Sequence, residues 1–135
     1  MAKTRLVVQG SMIYDCFVWE PRFPEVGEAV IGYRNGFFSG GKGANQAVQC
    51  AKPGADTYML GCVGRDQSGR FLIDSLSAYG VKTEYINILD GTSTASCCIH
   101  VDYNGANKIM LAPLANMEYS VGMIDAAMDV INEVC

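Results

Sequence analysis

The sequence predicts an α/β fold built on a parallel sheet. Three observations predict it. Short apolar runs alternate with helical patterns between Leu6 and Gly80, in the strand–helix–strand–helix order of βαβ units. A glycine-rich run, Ser39-Gly40-Gly41-Lys42-Gly43, leads straight into an alanine-faced helical pattern. Two strand-like runs flank Asn104-Gly105, and Asn-Gly in that setting is a strong hairpin signal.

Length and composition narrow the function classes. A chain of 135 residues is one domain, large enough to bury about two-thirds of its unfolded surface. Half of it is hydrophobic and it carries 15 glycines, as suits an α/β protein with many tight turns. The net charge of −4 argues against nucleic acid as a partner. No apolar run approaches the roughly 20 residues of a membrane helix, so no membrane association is expected. Met1-Ala2-Lys3-Thr4-Arg5 runs into a strand pattern and does not read as a signal peptide. The six cysteines, Cys16, Cys50, Cys62, Cys97, Cys98 and Cys135, contain no C-x-x-C pair. They read as reduced core residues of a cytoplasmic protein. The lone His100 sits in an alternating strand pattern and reads as structural.

Leu6 to Gly10 reads as a buried opening strand. Ile13 to Trp19 follows, with its apolar side chains changing face around Asp15. Asp15 lies just past the carboxyl end of the first strand, where open α/β sheets bind ligands. It either accepts hydrogen bonds from a ligand or bonds its own backbone in a turn. Glu20 to Gly27 is a turn-rich connection, and Ala29 to Phe38 reads as a second short strand. Ala44, Ala47, Val48 and Ala51 then mark one face of a helix, ending near Pro53-Gly54. Thr57 to Gly64 is a second buried strand. Asp66 suits the N-cap of the next helix, whose apolar side is Phe71, Leu72, Leu76 and Tyr79, with Gly80 beyond its end. Ala95 to Tyr103 and Lys108 to Ala112 form the hairpin, which alone could equally extend the main sheet. Pro113 to Asn116 is a loop. Ser120 then caps one last helix with Met123, Ala127, Val130 or Ile131, and Val134 as its stripe.

The glycine-rich loop carries the chemistry. A helix N-terminus offers unpaired N–H groups and a partial positive charge, and glycines let a ligand approach the backbone. Lys42 adds donors, and Asn45 stands in the first turn, off the alanine face. Gly36, Gly41 and Lys42 fit the G-x-x-x-x-G-K spacing of a phosphate-cradling loop. The next residue there must be Ser or Thr to hold magnesium, and here it is Gly43.

The run Gly40-Gly41-Lys42-Gly43-Ala44-Asn45-Gln46-Ala47 resembles the ribokinase branch of the PfkB-type carbohydrate kinases. Further matches follow in order: Gly10-Ser11 with Asp15; Pro24, Gly27-Glu28 and Gly32; Gly61, Gly64, Asp66 and Gly69; and Ala115-Asn116. The resemblance covers essentially the whole chain. It implies a ribokinase-like fold, a three-layer αβα parallel sheet with a small β-sheet lid. The lid falls approximately on residues 13–19, 29–38 and 95–112, within an N-terminal part spanning 1–135. It implies an ATP-dependent kinase that phosphorylates D-ribose at O5, with Mg2+ and a monovalent cation, K+, serving the full-length enzyme. A lid makes physical sense, because transfer to a sugar hydroxyl competes with transfer to water.

Carried residue by residue, the resemblance places Asp15, Gly41, Lys42 and Asn45 on the ribose hydroxyls, with Gly43 fixing the loop. Asp66 keeps its structural reading. A homodimer through the β lid is implied as well. The family's base lies in a Gly-x-Gly-Asp run, and its sugar-holding glutamate on a later strand; neither is in this chain. The chain is therefore expected to be an acceptor-binding half, inactive alone and without a catalytic residue of its own. Rival readings are a non-catalytic sugar-binding or dimerising fragment, a pseudoenzyme, and a PfkB-type kinase of another sugar or a nucleoside. Ile13 bears on the substrate. Bacterial ribokinases commonly carry Asn there, and an unpaired buried hydroxyl costs about 1–3 kcal/mol.

Overall fold

The computed structural model describes residues 4–134. Met1 to Lys3 and Cys135, read above as the approach to the first strand and a core thiol, lie outside the described residues.

Strand β1 (Arg5–Gln9) pairs in parallel with β4 (Asp56–Gly64), which pairs in parallel with β5 (Ile86–Leu89). The order is β1-β4-β5. Helices α1 (Lys42–Ala51) and α2 (Gln67–Ala78) lead into and out of β4. Alternation along β4 sends its side chains to opposite faces. Met59 and Val63 pack with Ala44, Ala47, Leu72 and Leu76 from the two helices. Tyr58 and Leu60 pack on the other face against Ala127 and Val130. The sheet is thus sandwiched between helices, as the resemblance implies.

A second, four-stranded sheet stands apart from the first. Its order is β3-β2-β6-β7, from β2 (Ile13–Trp19), β3 (Arg34–Gly40), β6 (Ser96–Val101) and β7 (Asn107–Ala112). β2 and β6 run parallel and the outer pairs antiparallel. The Asn104-Gly105 hairpin therefore builds this second sheet and does not extend the main one. Gly105 adopts φ 79 and Asp102 Oδ1 accepts from the N–H groups of Asn104 and Ala106, closing the loop. At its near end the sheet rests on the body through Tyr14, stacked on Phe37 and edge-on to Phe71 of α2, with ring centroids 5.6 and 5.3 Å away.

Several expectations are corrected. β1 is half-buried, because only one of its edges is paired among the described residues. The second strand begins at Arg34 and not at Ala29: β2 ends at Trp19, the partner of Arg34, so residues 29–33 have no strand to pair with. β5 carries no expectation above, since Ile86-Asn87-Ile88-Leu89 is too short to announce itself. The last helix is two short ones, α3 (Val121–Asp125) and α4 (Met128–Asn132). The chain tightens where Ala127 N–H turns to Ile124 C=O, which lays Ala127 and Val130 on the sheet. The Ser120 hydroxyl makes no cap bond. Of the five described cysteines, all free, only Cys62 and Cys97 are buried, and Cys98 is exposed.

Candidate functional site

The expected ligand loop forms where two glycines let backbones meet. Gly10 ends β1 and Gly43 sits in the first turn of α1. A Cβ on Gly43 would lie 2.6 Å from the Gly10 carbonyl carbon and 2.7 Å from its Cα. Gly41, the N-cap, holds φ 98 and passes the Ser11 carbonyl so closely that a Cβ would sit 2.5 Å from its oxygen. Only glycine is at ease there. The loop is then tied down: Lys42 N–H donates to Ser11 Oγ at 3.2 Å and Ala44 N–H to Ser11 C=O at 3.1 Å. Gly43 is buried and fixes the loop by contact; Lys42 and Asn45 are exposed.

Asp15 lies in β2, between Phe38 of β3 and Cys97 of β6. Its carboxylate covers Gly40 so tightly that a Cβ there would stand 2.0 Å from Asp15 Oδ2. The carboxylate therefore sits at the step into Gly41 and Lys42. No hydrogen bond or ion pair reaches it from the described residues, and burial raises its pKa above the ordinary value. A half-buried carboxylate without a donor is costly. Hydroxyl groups of a ligand would supply the missing donors. The Cys97 thiol faces the same way: burial first, then the nearby Asp15 charge, push its pKa up.

The structure brings Asp15 to the Gly40–Gly41 step and binds Lys42 and Gly43 to the Gly10–Ser11 turn. It does not bring the Asn45 side chain into contact with Asp15. Asn45 borders a cleft of about 210 Å³ between the helices, with Ser39, Val48, Ser75 and Tyr79. A larger cavity, about 710 Å³, lies elsewhere, between α2 and Ile88 of β5. Asp15 lines neither of these two.

Asn116 is a residue the sequence reading left without a role. Its side chain clamps the backbone N–H and C=O of Met12. The Ala115-Asn116 pair was visible in sequence, but its partner lies 104 residues away. Asp66 caps α2 by accepting from Gly69 N–H at 2.8 Å, and also accepts from Thr94 N–H and Oγ1 at 2.8 and 2.6 Å. His100 Nδ1 lies 3.2 Å from buried Glu20, a structural pairing. Among the described residues no three His, Cys, Asp or Glu side chains converge on one point. No helix among them is long and apolar enough to cross a membrane.

Comparison with known proteins places the chain. It is 35% identical over 129 residues to the ribokinase of Bacillus subtilis, spanning 96% of this chain and 44% of that enzyme. It is 34% identical over 122 residues to the deoxyribokinase of Salmonella typhimurium, covering 90% of this chain and 40% of that one. The solved structure of Arabidopsis thaliana ribokinase, complexed with ribose and ATP, superposes with a TM-score of 0.87 at 29% identity, over 96% of this chain and 43% of that one. The chain thus spans less than half the length of these relatives. The family model described as pfkB family carbohydrate kinase matches residues 3–132. With that match, and with the sandwiched parallel sheet and second sheet seen here, the chain belongs to the pfkB family of carbohydrate kinases.

Proposed function

We propose that this chain is the acceptor-binding half of an ATP-dependent sugar kinase that phosphorylates D-ribose at O5. One observation carries the reading: the Asp15 carboxylate is half-buried beside the glycine loop with no donor of its own. Sugar hydroxyls are donors that fit it. Lys42 and Asn45, exposed in the first turn of α1, add donors for the sugar's oxygens. The four-stranded sheet rises from the same place, with Cys97, Ile99 and Leu111 sharing the Asp15 face by register, and acts as a lid that excludes water. ATP supplies the phosphoryl group, with Mg2+ and K+ as the ions expected of the full-length enzyme. Phosphoryl transfer rests on positioning and charge stabilisation, and this chain contributes the positioning of the acceptor. The lid also pairs with a second copy of the chain.

The test is a calorimetric titration of the chain with D-ribose, with and without ATP. Saturable binding that ATP leaves unchanged is expected, and Asp15→Ala abolishes it. A wild-type chain that takes up no sugar of any kind defeats the reading.

A second acceptor, 2-deoxy-D-ribose, is favoured by Ile13. It lies two residues before Asp15 on the same face of β2, and its side chain brings no donor or acceptor. One relative is a deoxyribokinase. A sugar with one hydroxyl fewer avoids the unpaired group, worth about tenfold or more in affinity. Parallel titrations with the two sugars separate the readings.

A further inference from the structure

We propose that Asn116 is the positioning residue of the acceptor site, an inference that rests on the acceptor reading above. Its amide Nδ2 donates to Met12 C=O at 2.9 Å, while its Oδ1 accepts from Met12 N–H at 3.2 Å. Both hydrogen-bonding groups of that residue are thus satisfied by one side chain. Met12 is wholly buried, so its backbone groups need a partner within the protein. A short side chain holding one donor and one acceptor is what the position requires.

Met12 stands at the centre of the site's wiring. Ser11 before it receives Lys42 N–H and Ala44 N–H from the glycine loop. Asp15 lies three residues after it, on the strand that Met12 feeds. The Asn116 side chain hydrogen-bonds to neither Asp15 nor the loop, and acts on both through the Met12 backbone.

The clamp is itself anchored. Ala115 is fully buried and its N–H donates to Ser93 C=O at 3.1 Å, while Asn116 N–H donates to Pro113 C=O at 2.9 Å. Leu114 between them holds φ 39, a left-handed conformation that a non-glycine residue keeps only when its surroundings impose it. This turn follows β7 directly. It therefore joins the exit from the second sheet (residues 113–116), the entry to β6 at Ser93 and the entry to β2 at Met12. Asn116 fixes where the second sheet and the Asp15 strand leave the body.

Hydrogen exchange on the chain and on Asn116→Ala tests this. Amides of residues 11–15 and 42–45 are expected to exchange about tenfold faster or more, with those of α2 unchanged. Equal acceleration in α2, or none in residues 11–15, overturns the proposal, because a merely structural residue would loosen the whole chain. A D-ribose titration gives the second arm: about tenfold weaker binding in Asn116→Ala, and a smaller loss in Asn116→Asp, which keeps the acceptor for Met12 N–H. Equal affinity in wild type and Asn116→Ala overturns it. If Asn116→Ala does not fold, Asn116→Asp decides both arms on the same criteria. A wild-type chain that binds no sugar defeats the acceptor reading alone, and the exchange arm then decides the role of Asn116.

Discussion

Asp15 carries a pH-dependent cost to folding within a single side chain. Burial raises its pKa, so the folded state favours the protonated acid. The sign follows directly: the stability this group confers is fully present below its ordinary pKa of 3.8 and is lost as pH rises through the higher folded value. At neutral pH the ionised carboxylate is a net cost to folding. Asp15→Asn keeps the shape and removes the charge. The variant is expected to melt higher than wild type at pH 7, to lose that advantage at pH 3, and to bind no ribose. A variant that melts lower at pH 7 would show that a donor already satisfies Asp15. Gly43 makes a purely steric counterpart. A methyl group there meets Gly10 backbone at 2.6 and 2.7 Å and Met59 Cε at 2.9 Å. Backbone cannot swing aside as a side chain can. Gly43→Ala should therefore cost about 1–3 kcal/mol, read as a lower urea midpoint, and should push the loop away from Ser11. The glycine-rich run was legible in sequence because its residues are adjacent, whereas the meeting of Asp15 with Gly40 comes from the fold. Asn116 was not legible, because its meaning comes from a partner brought close by the fold.

At the scale of elements, α2 and the entry to β6 share one carboxylate. Asp66 caps the helix at Gly69 and holds Thr94 through two bonds. Burial pushes its pKa up, but the bonds from Thr94 side chain, Thr94 backbone and Gly69 outweigh it, and the net shift is downward. A depressed acid contributes stability that is present above its ordinary pKa and lost as pH falls through the folded value. Thermal denaturation should therefore show Asp66→Ala less stable than wild type by about 1–2 kcal/mol at pH 7, with the gap closing at low pH. A gap that persists at pH 2 would assign the loss to packing. Long, strongly patterned elements such as α1, α2 and β4 could be read directly from periodicity and caps. β5 could not: four residues carry too little pattern, and its strand character comes from Gly61 to Gly64 lying alongside. The break between α3 and α4 was equally invisible, since the stripe Met123, Ala127, Val130 suits one helix. The need to seat Ala127 and Val130 against Tyr58 and Leu60 decides the local backbone.

At the scale of the whole molecule, the four-stranded sheet is too apolar to stand in water alone. Phe37 and Met110 are 50% and 65% exposed on one face, and Ile109 and Leu111 are 59% and 53% exposed on the other. Register assigns the faces. Leu111 pairs with Cys97 and Cys97 with Asp15, so those three share one face; Met110 pairs with Cys98 and Cys98 with Cys16, on the opposite face, which rests on Phe71 of α2 only at its near end, through Tyr14. A contiguous apolar patch on a soluble protein marks an interaction surface. A second copy is the simplest cover for the outward face, because a two-fold contact matches each patch with its own equal. Sedimentation of the sugar-free chain should then give a dimer. Met110→Asp places a charge in the centre of that contact and should give a monomer. Its ribose affinity should stay at the wild-type value, because the substituted side chain lies on the far side of the sheet from Asp15. Loss of binding together with loss of the dimer would mean instead that the partner's sheet helps hold the acceptor. A wild-type chain that stays monomeric at high concentration would remove the second copy as the cover.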